Sequence, residues 1–143
     1  MKKMQKLKVC NWALLIMIIL VLVSGIELEA TSGSDPASVR YHIVIASIFL
    51  LLSVWHISLN LSWSGWFKKF SRLKSPVTRI LWWLFLLTAL SGIAAEIHWL
   101  ATYSHSPVGA IHGKIGFAML IVAIGHTLKR LRFFAFRRPL NRR

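Results

Sequence analysis

Apolar residues in this chain fall into four long stretches separated by short polar segments. The stretches run through residues 9–26, 41–67, 80–100 and 108–128. Charged side chains interrupt them only at Glu96 and Lys114. A helix of about 20 apolar residues is long enough to cross the roughly 30 Å hydrocarbon core of a bilayer. The pattern therefore predicts four membrane-spanning helices.

Three of the predicted helices have a recognisable first residue, a proline that follows a capping side chain. The pairs are Asp35-Pro36, Ser75-Pro76 and Ser106-Pro107. Asp and Ser accept hydrogen bonds from the first amides of a helix, and proline suits the first helical position because its missing N–H needs no partner. We predict one all-α transmembrane domain, 1–143, a four-helix bundle with helices at about residues 9–28, 36–63, 76–101 and 107–131.

Composition and charge support a membrane protein and not a nucleic-acid-binding one. Of the 143 residues, 56% are apolar, and the mean hydropathy is +0.61. The net charge is +14, but 16 of the 18 basic residues lie in the segments 1–8, 68–79 and 129–143. These segments fall on one side of a four-helix arrangement, and the positive-inside rule makes that side cytoplasmic. We therefore expect a multi-pass protein of the cytoplasmic membrane with both termini in the cytoplasm.

Histidine occurs with identical spacing in the second and fourth stretches. His42 and His56 are 14 residues apart, as are His112 and His126. Fourteen residues are two heptads, so each pair returns to one helix face about 21 Å along the axis. The second and fourth helices run in the same direction. We therefore expect His42 to be level with His112 at the outer surface, and His56 to be level with His126 at the inner one.

This arrangement suits two b-type haems, each held by two imidazoles and stacked across the bilayer. Polar groups inside a membrane are costly and mark ion, proton or cofactor sites. Zinc is the weaker interpretation, because no Cys, Asp or Glu lies close enough to complete four-coordination. Another metal site, or a proton-transfer or structural role, remains open. Two axial imidazoles leave haem iron six-coordinate, which favours electron transfer over oxygen chemistry.

The histidine pairs belong to an internal repeat. Residues 22–27, LVSGIE, resemble residues 89–93, ALSGI, so the chain divides into two helical hairpins of common design. Gly25 and Gly92 occupy matching positions, where a missing side chain lets a flat macrocycle approach the backbone; close helix packing is the alternative. A basic start followed by an apolar run also suits a signal peptide with Leu28-Glu29-Ala30 as its cleavage site, but the repeat favours retention of the first helix.

Polar side chains next to the histidines suit the propionates of a haem. Arg40 and Lys114 each lie two residues from an outer histidine. Asn60 and Arg130 each lie four residues beyond an inner one, on the same helical face. Snorkelling of interfacial side chains is the alternative interpretation.

A second polar group is expected near the outer end of the third helix. It consists of Glu96, His98 and His105. These side chains are candidates to exchange protons with a quinol bound beside the outer haem, or they are simply hydrated residues near a loop.

Motifs for other redox chemistry are missing from the sequence. Cys10 is the only cysteine, which leaves no CxxCH motif for covalent haem and no iron–sulfur framework. No GxGxxG motif occurs, and the segments between the predicted helices are too short for a flavin or nicotinamide domain. We therefore expect an electron-transfer subunit that needs a separate donor and acceptor, and not a complete enzyme.

The chain resembles the flavinylation-associated cytochromes, which are small di-haem membrane cytochromes b. The resemblance covers nearly the whole chain and rests on the four-helix plan, the H-x13-H pattern, and the SGI, HISLN and HGKIG segments. It implies that His42, His56, His112 and His126 ligate two haems b, and that electrons pass between the membrane quinone pool and an extracytoplasmic flavoprotein. The alternatives are a carrier resembling ferric reductases, which also have H-x13-H helices, and a non-redox subunit for metal-ion transport or scaffolding.

Overall fold

The computed structural model describes residues 3–60 and 75–129, and this part of the chain forms four α-helices. In chain order they are α1 Lys3–Ala30, α2 Pro36–Asn60, α3 Pro76–Thr102 and α4 Pro107–Lys129. Each is long and apolar enough to cross a membrane. The prediction of an all-α fold with four helices long and apolar enough to span a membrane is confirmed for these residues.

The helix bounds agree with the sequence where proline begins a helix. Helices α2, α3 and α4 all start at the predicted proline. By contrast, α1 starts at Lys3 and not at residue 9, because Lys, Met, Gln and Leu continue the helix readily outside the apolar stretch. The last turns predicted at 61–63 and 130–131 lie outside the described residues.

Asp35 caps α2 as predicted. Its carboxylate accepts hydrogen bonds from the backbone amides of Ala37 and Ser38, each at 3.1 Å. The Ser38 hydroxyl lies 2.8 Å from the carboxylates of both Asp35 and Glu27, which joins the end of α1 to the start of α2. The Ser38 hydroxyl and these two amides hold the pKa of Asp35 below its ordinary value.

The other two predicted caps differ from each other. Ser106 caps α4, because its hydroxyl accepts a hydrogen bond from the amide of Gly109 at 3.0 Å. Ser75 has extended backbone at the start of α3, but its side chain makes no capping hydrogen bond. The prediction of a side-chain cap at Ser75 is therefore wrong, and the fixed backbone of Pro76 marks the start of α3 without one.

The helices pack as two hairpins, α1 with α2 and α3 with α4, and α1 also packs against α4. The buried cluster between them consists of Met17, Ile18, Ile45, Phe49, Met119, Leu120 and Ala123. In α2 and α4 these residues fall between the two histidine positions of each helix. The core therefore lies between the two histidine levels of the bundle.

Many large apolar side chains point away from the core. Leu51 is 70% exposed, Leu90 66% and Leu128 60%. Surfaces of this kind are unsuited to water but match the hydrocarbon tails of lipids. Since lipid is as apolar as the core, the helices are held together by close packing and hydrogen bonds more than by the hydrophobic effect.

Candidate functional site

Two of the predicted ligands, His42 and His112, lie together near the starts of α2 and α4. Their ring centroids are 6.4 Å apart, and their ring planes cross at 73°. Both residues are half-buried. A metal ion between two imidazoles, at metal–nitrogen distances of about 2 Å, sets the ring centroids about 6 Å apart. The pair therefore has the spacing of a two-imidazole ligand set that joins the two hairpins.

His42 contacts α1 through its Nδ1 atom. Its Nδ1 lies 2.9 Å from the hydroxyl oxygen of Ser24. That hydroxyl also lies 3.1 Å from the carbonyl oxygen of Val21; when it donates its hydrogen there, its oxygen accepts from the Nδ1–H of His42. The lone pair of the imidazole is then on Nε2, the nitrogen that remains for a ligand.

The tautomer of His112 follows from its contacts with α3. Its Nδ1 lies 3.1 Å from the carbonyl oxygen of Thr88 and 3.3 Å from the hydroxyl oxygen of Ser91. A carbonyl oxygen only accepts, so Nδ1 carries the proton. The Ser91 hydroxyl donates to the Leu87 carbonyl at 2.7 Å and can therefore accept from the ring as well. His112 thus has an unprotonated Nε2, which is the form of a ring nitrogen that binds a metal.

Gly25 and Gly92 lie against these two imidazoles. A Cβ atom at Gly92 would be 2.8 Å from Cε1 and 3.2 Å from Nδ1 of His112, closer than packing allows. A Cβ atom at Gly25 would be 3.8 Å from Cε1 of His42, which is an ordinary contact. Gly92 therefore makes room for the imidazole ring itself, at the place where the sequence predicts the approach of a macrocycle.

The second pair of predicted ligands, His56 and His126, lies 14 residues further along α2 and α4. This places it about 21 Å along the helix axes from the first pair. Both residues are half-buried. The amide of Asn60 donates to the backbone carbonyl of His56 at 2.8 Å and to its Nε2 at 3.3 Å. Asn60 therefore contacts the imidazole itself, and a ligand bound at that nitrogen would replace this hydrogen bond.

The predicted basic partners are only partly described. Arg40 and Lys114 are exposed, each two residues from a histidine of the first pair. Arg130 lies outside the described residues. Because both side chains are long, flexible and exposed, they are available to an anionic group at the level of His42 and His112.

The residues of the predicted proton-exchanging group have separate contacts. His98 lies with its Nδ1 3.3 Å from the hydroxyl of Thr102, within α3. The ring of His105 contacts Gly33, so the loops that precede α2 and α4 meet at the end of the bundle where His42 lies. Glu96 is half-buried on α3. Within residues 3–60 and 75–129, no group of three or more His, Cys, Asp or Glu side chains is suited to hold a metal ion.

The serines that precede the two glycines are functional candidates that the sequence did not single out. Ser24 and Ser91 occupy matching positions of the SGI repeat, and each contacts the histidine of its own hairpin. Comparison with protein-family models, curated proteins and solved structures finds no match to this chain. The chemistry of the site is therefore inferred from its residues: two half-buried imidazoles, one from each hairpin, with ring centroids 6.4 Å apart.

Proposed function

We propose that this chain is a di-haem b-type cytochrome of the cytoplasmic membrane. In this proposal it is an electron-transfer subunit between the quinone pool and an extracytoplasmic flavoprotein. The supporting observation is the His42–His112 pair, with ring centroids 6.4 Å apart and both Nδ1 atoms hydrogen-bonded to neighbouring helices. Haem needs only two axial protein ligands, whereas a structural zinc site needs four. The donor set at this level therefore fits haem.

The proposal assigns one haem to each histidine level. His42 and His112 hold the first, and His56 and His126 hold the second. Arg40, Lys114, Asn60 and Arg130 are proposed partners of the propionates. Bound haem supplies one-electron iron chemistry. Two such sites hold two electrons, the number that one quinol releases and one flavin accepts.

The side chains between the two histidine levels are apolar and have a structural role in this proposal. A buried apolar layer lies where α1, α2 and α4 pack together. It includes Ile45 and Phe49 of α2 and Met119 and Leu120 of α4. The layer excludes water and fixes the spacing of the two histidine levels. Protons released by a quinol at the His42 end would be taken up by hydrated groups there, with Glu96, His98 and His105 as candidates.

The proposed orientation places both termini and the loop between α2 and α3 in the cytoplasm, because 16 of the 18 basic residues lie in those segments. His42 and His112 are then at the outer surface. Reporter fusions after Arg143 and within residues 31–34 are expected to report opposite sides of the membrane. A C-terminal fusion that reports the outer side would exchange the outer and inner haem assignments.

Quinol is the proposed electron donor. In membranes that contain the protein and ample haem, a quinol is expected to reduce a b-type absorbance that reoxidises when the flavoprotein acceptor is added. The His42→Ala variant should be blocked in this electron transfer, since the outer site is the proposed exit. Tyr103→Phe, a conservative change of an exposed side chain, is the matched control. Reduction by a soluble cytoplasmic donor, with no response to quinol, would instead support the ferric-reductase-like alternative.

A further inference from the structure

The two histidines of the proposed outer site are held in different ways. His42 has a single Nδ1 acceptor in the described residues, the hydroxyl of Ser24 at 2.9 Å. His112 has two, the Thr88 carbonyl at 3.1 Å and the Ser91 hydroxyl at 3.3 Å. Ser24 and Ser91 occupy equivalent positions in the SGI repeat. A backbone carbonyl accompanies the serine as an acceptor only at His112. Loss of the hydroxyl therefore has unequal consequences in the two hairpins.

Ser24 is unusually deeply buried for a serine in a helix. It is 1% exposed, one of the two most deeply buried side chains in the described ranges. Its oxygen lies 3.1 Å from the Val21 carbonyl oxygen and 2.9 Å from Nδ1 of His42, so a hydroxyl that donates to the carbonyl can accept from the ring. An acceptor at Nδ1 fixes the direction of the ring and makes Nε2 a stronger donor to a metal.

We propose that Ser24 is the positioning residue of the His42 ligand, and that Ser91 is its dispensable counterpart. The inference rests on the proposed haem function and goes beyond it. Ser24 holds the tautomer and direction of His42, whereas the Thr88 carbonyl performs that task for His112 even without Ser91. In each hairpin the serine lies at Nδ1 of the histidine and the glycine lies beside its Cε1, but the close glycine contact is at Gly92.

The test compares the full-length variants Ser24→Ala and Ser91→Ala in detergent. Haemin titration is expected to show about a 10-fold loss of affinity at one of the two sites for Ser24→Ala. Ser91→Ala should stay close to the wild-type affinity. The midpoint potential of the outer haem should shift upward in Ser24→Ala only, because a weaker imidazole donor stabilises iron(III) less. The inner haem, unchanged in both variants, shows that the bundle is intact.

A third variant separates hydrogen bonding from packing. Ser24→Cys keeps the volume of the side chain, but its sulfur is a weak acceptor. We expect it to lose affinity as Ser24→Ala does. Wild-type affinity and potential in Ser24→Cys would assign the effect to packing and overturn the proposal, as would equal effects of Ser24→Ala and Ser91→Ala.

Heteronuclear NMR of isotope-labelled histidine in the haem-free protein distinguishes this inference from the proposed function. The wild-type protein should show His42 protonated at Nδ1, and Ser24→Ala should lose that preference while Ser91→Ala leaves the tautomer of His112 unchanged. A protein that shows this pattern but binds no haem would refute the haem proposal and support the role of Ser24. A His42 tautomer that is the same with and without the Ser24 hydroxyl would refute that role.

Discussion

Replacement of His42 or His112 with alanine is expected to lower the haem content of the purified protein from about two per chain to about one. The two imidazoles come from different hairpins and lie 6.4 Å apart, so neither side chain can hold the iron in its six-coordinate form alone. The remaining haem, held by His56 and His126, should keep its sharp b-type spectrum. Haem extraction and a reduced-minus-oxidised spectrum measure both quantities.

The matched control is His105→Ala. This histidine lies at the same end of the bundle, is exposed and contacts Gly33. It should retain both haems. If His42→Ala instead removed the haem held by His126 and left that of His112 intact, the pairing of α2 with α4 at equal levels would be wrong.

Replacement of Gly92 with alanine should also disrupt the outer haem, without removing a ligand. The added Cβ would be 2.8 Å from Cε1 of His112, and the ring is fixed by its bonds to Thr88 and Ser91. To avoid the clash the ring must leave those acceptors and change its direction, so we expect at least about a 10-fold loss of haem affinity at that site.

The control for this variant is Gly25→Ala. Its Cβ would lie 3.8 Å from Cε1 of His42, a normal contact, so both haems should be retained. Alanine is favoured over glycine in a helix interior by about 1 kcal/mol, so weaker helix formation does not explain a loss in Gly92→Ala. Equal haem contents in the two glycine variants would contradict the close contact between Gly92 and His112.

The four helices could be predicted from the sequence because their causes are local. Length and apolarity define a span, and the prolines at 36, 76 and 107 fix the first turn of three helices. The start of α1 was missed because helix propensity, and not apolarity, decides where a helix ends in water. The cap at Ser75 was wrong for a related reason: residue type permits a capping hydrogen bond but does not require it.

The candidate site could be predicted only in part. Equal spacing on helices that run in parallel was enough to bring His42 and His112 together. The hydrogen bonds of Ser24, Ser91 and Asn60 to the histidines were not predicted from the sequence. A polar side chain on an apolar helix has several partners within reach, and the sequence does not rank them. The positions of the rings against Gly25 and Gly92 depend in the same way on how the hairpins pack.

The most direct test of the central claim is the haem content of the wild-type protein. After expression with ample haem and purification in detergent, we expect a coloured protein with about two b-type haems per chain and a sharp reduced-minus-oxidised spectrum of low-spin, two-imidazole iron. A colourless, folded protein that takes up no added haemin would contradict the account and would assign the four histidines to a non-redox role in the membrane.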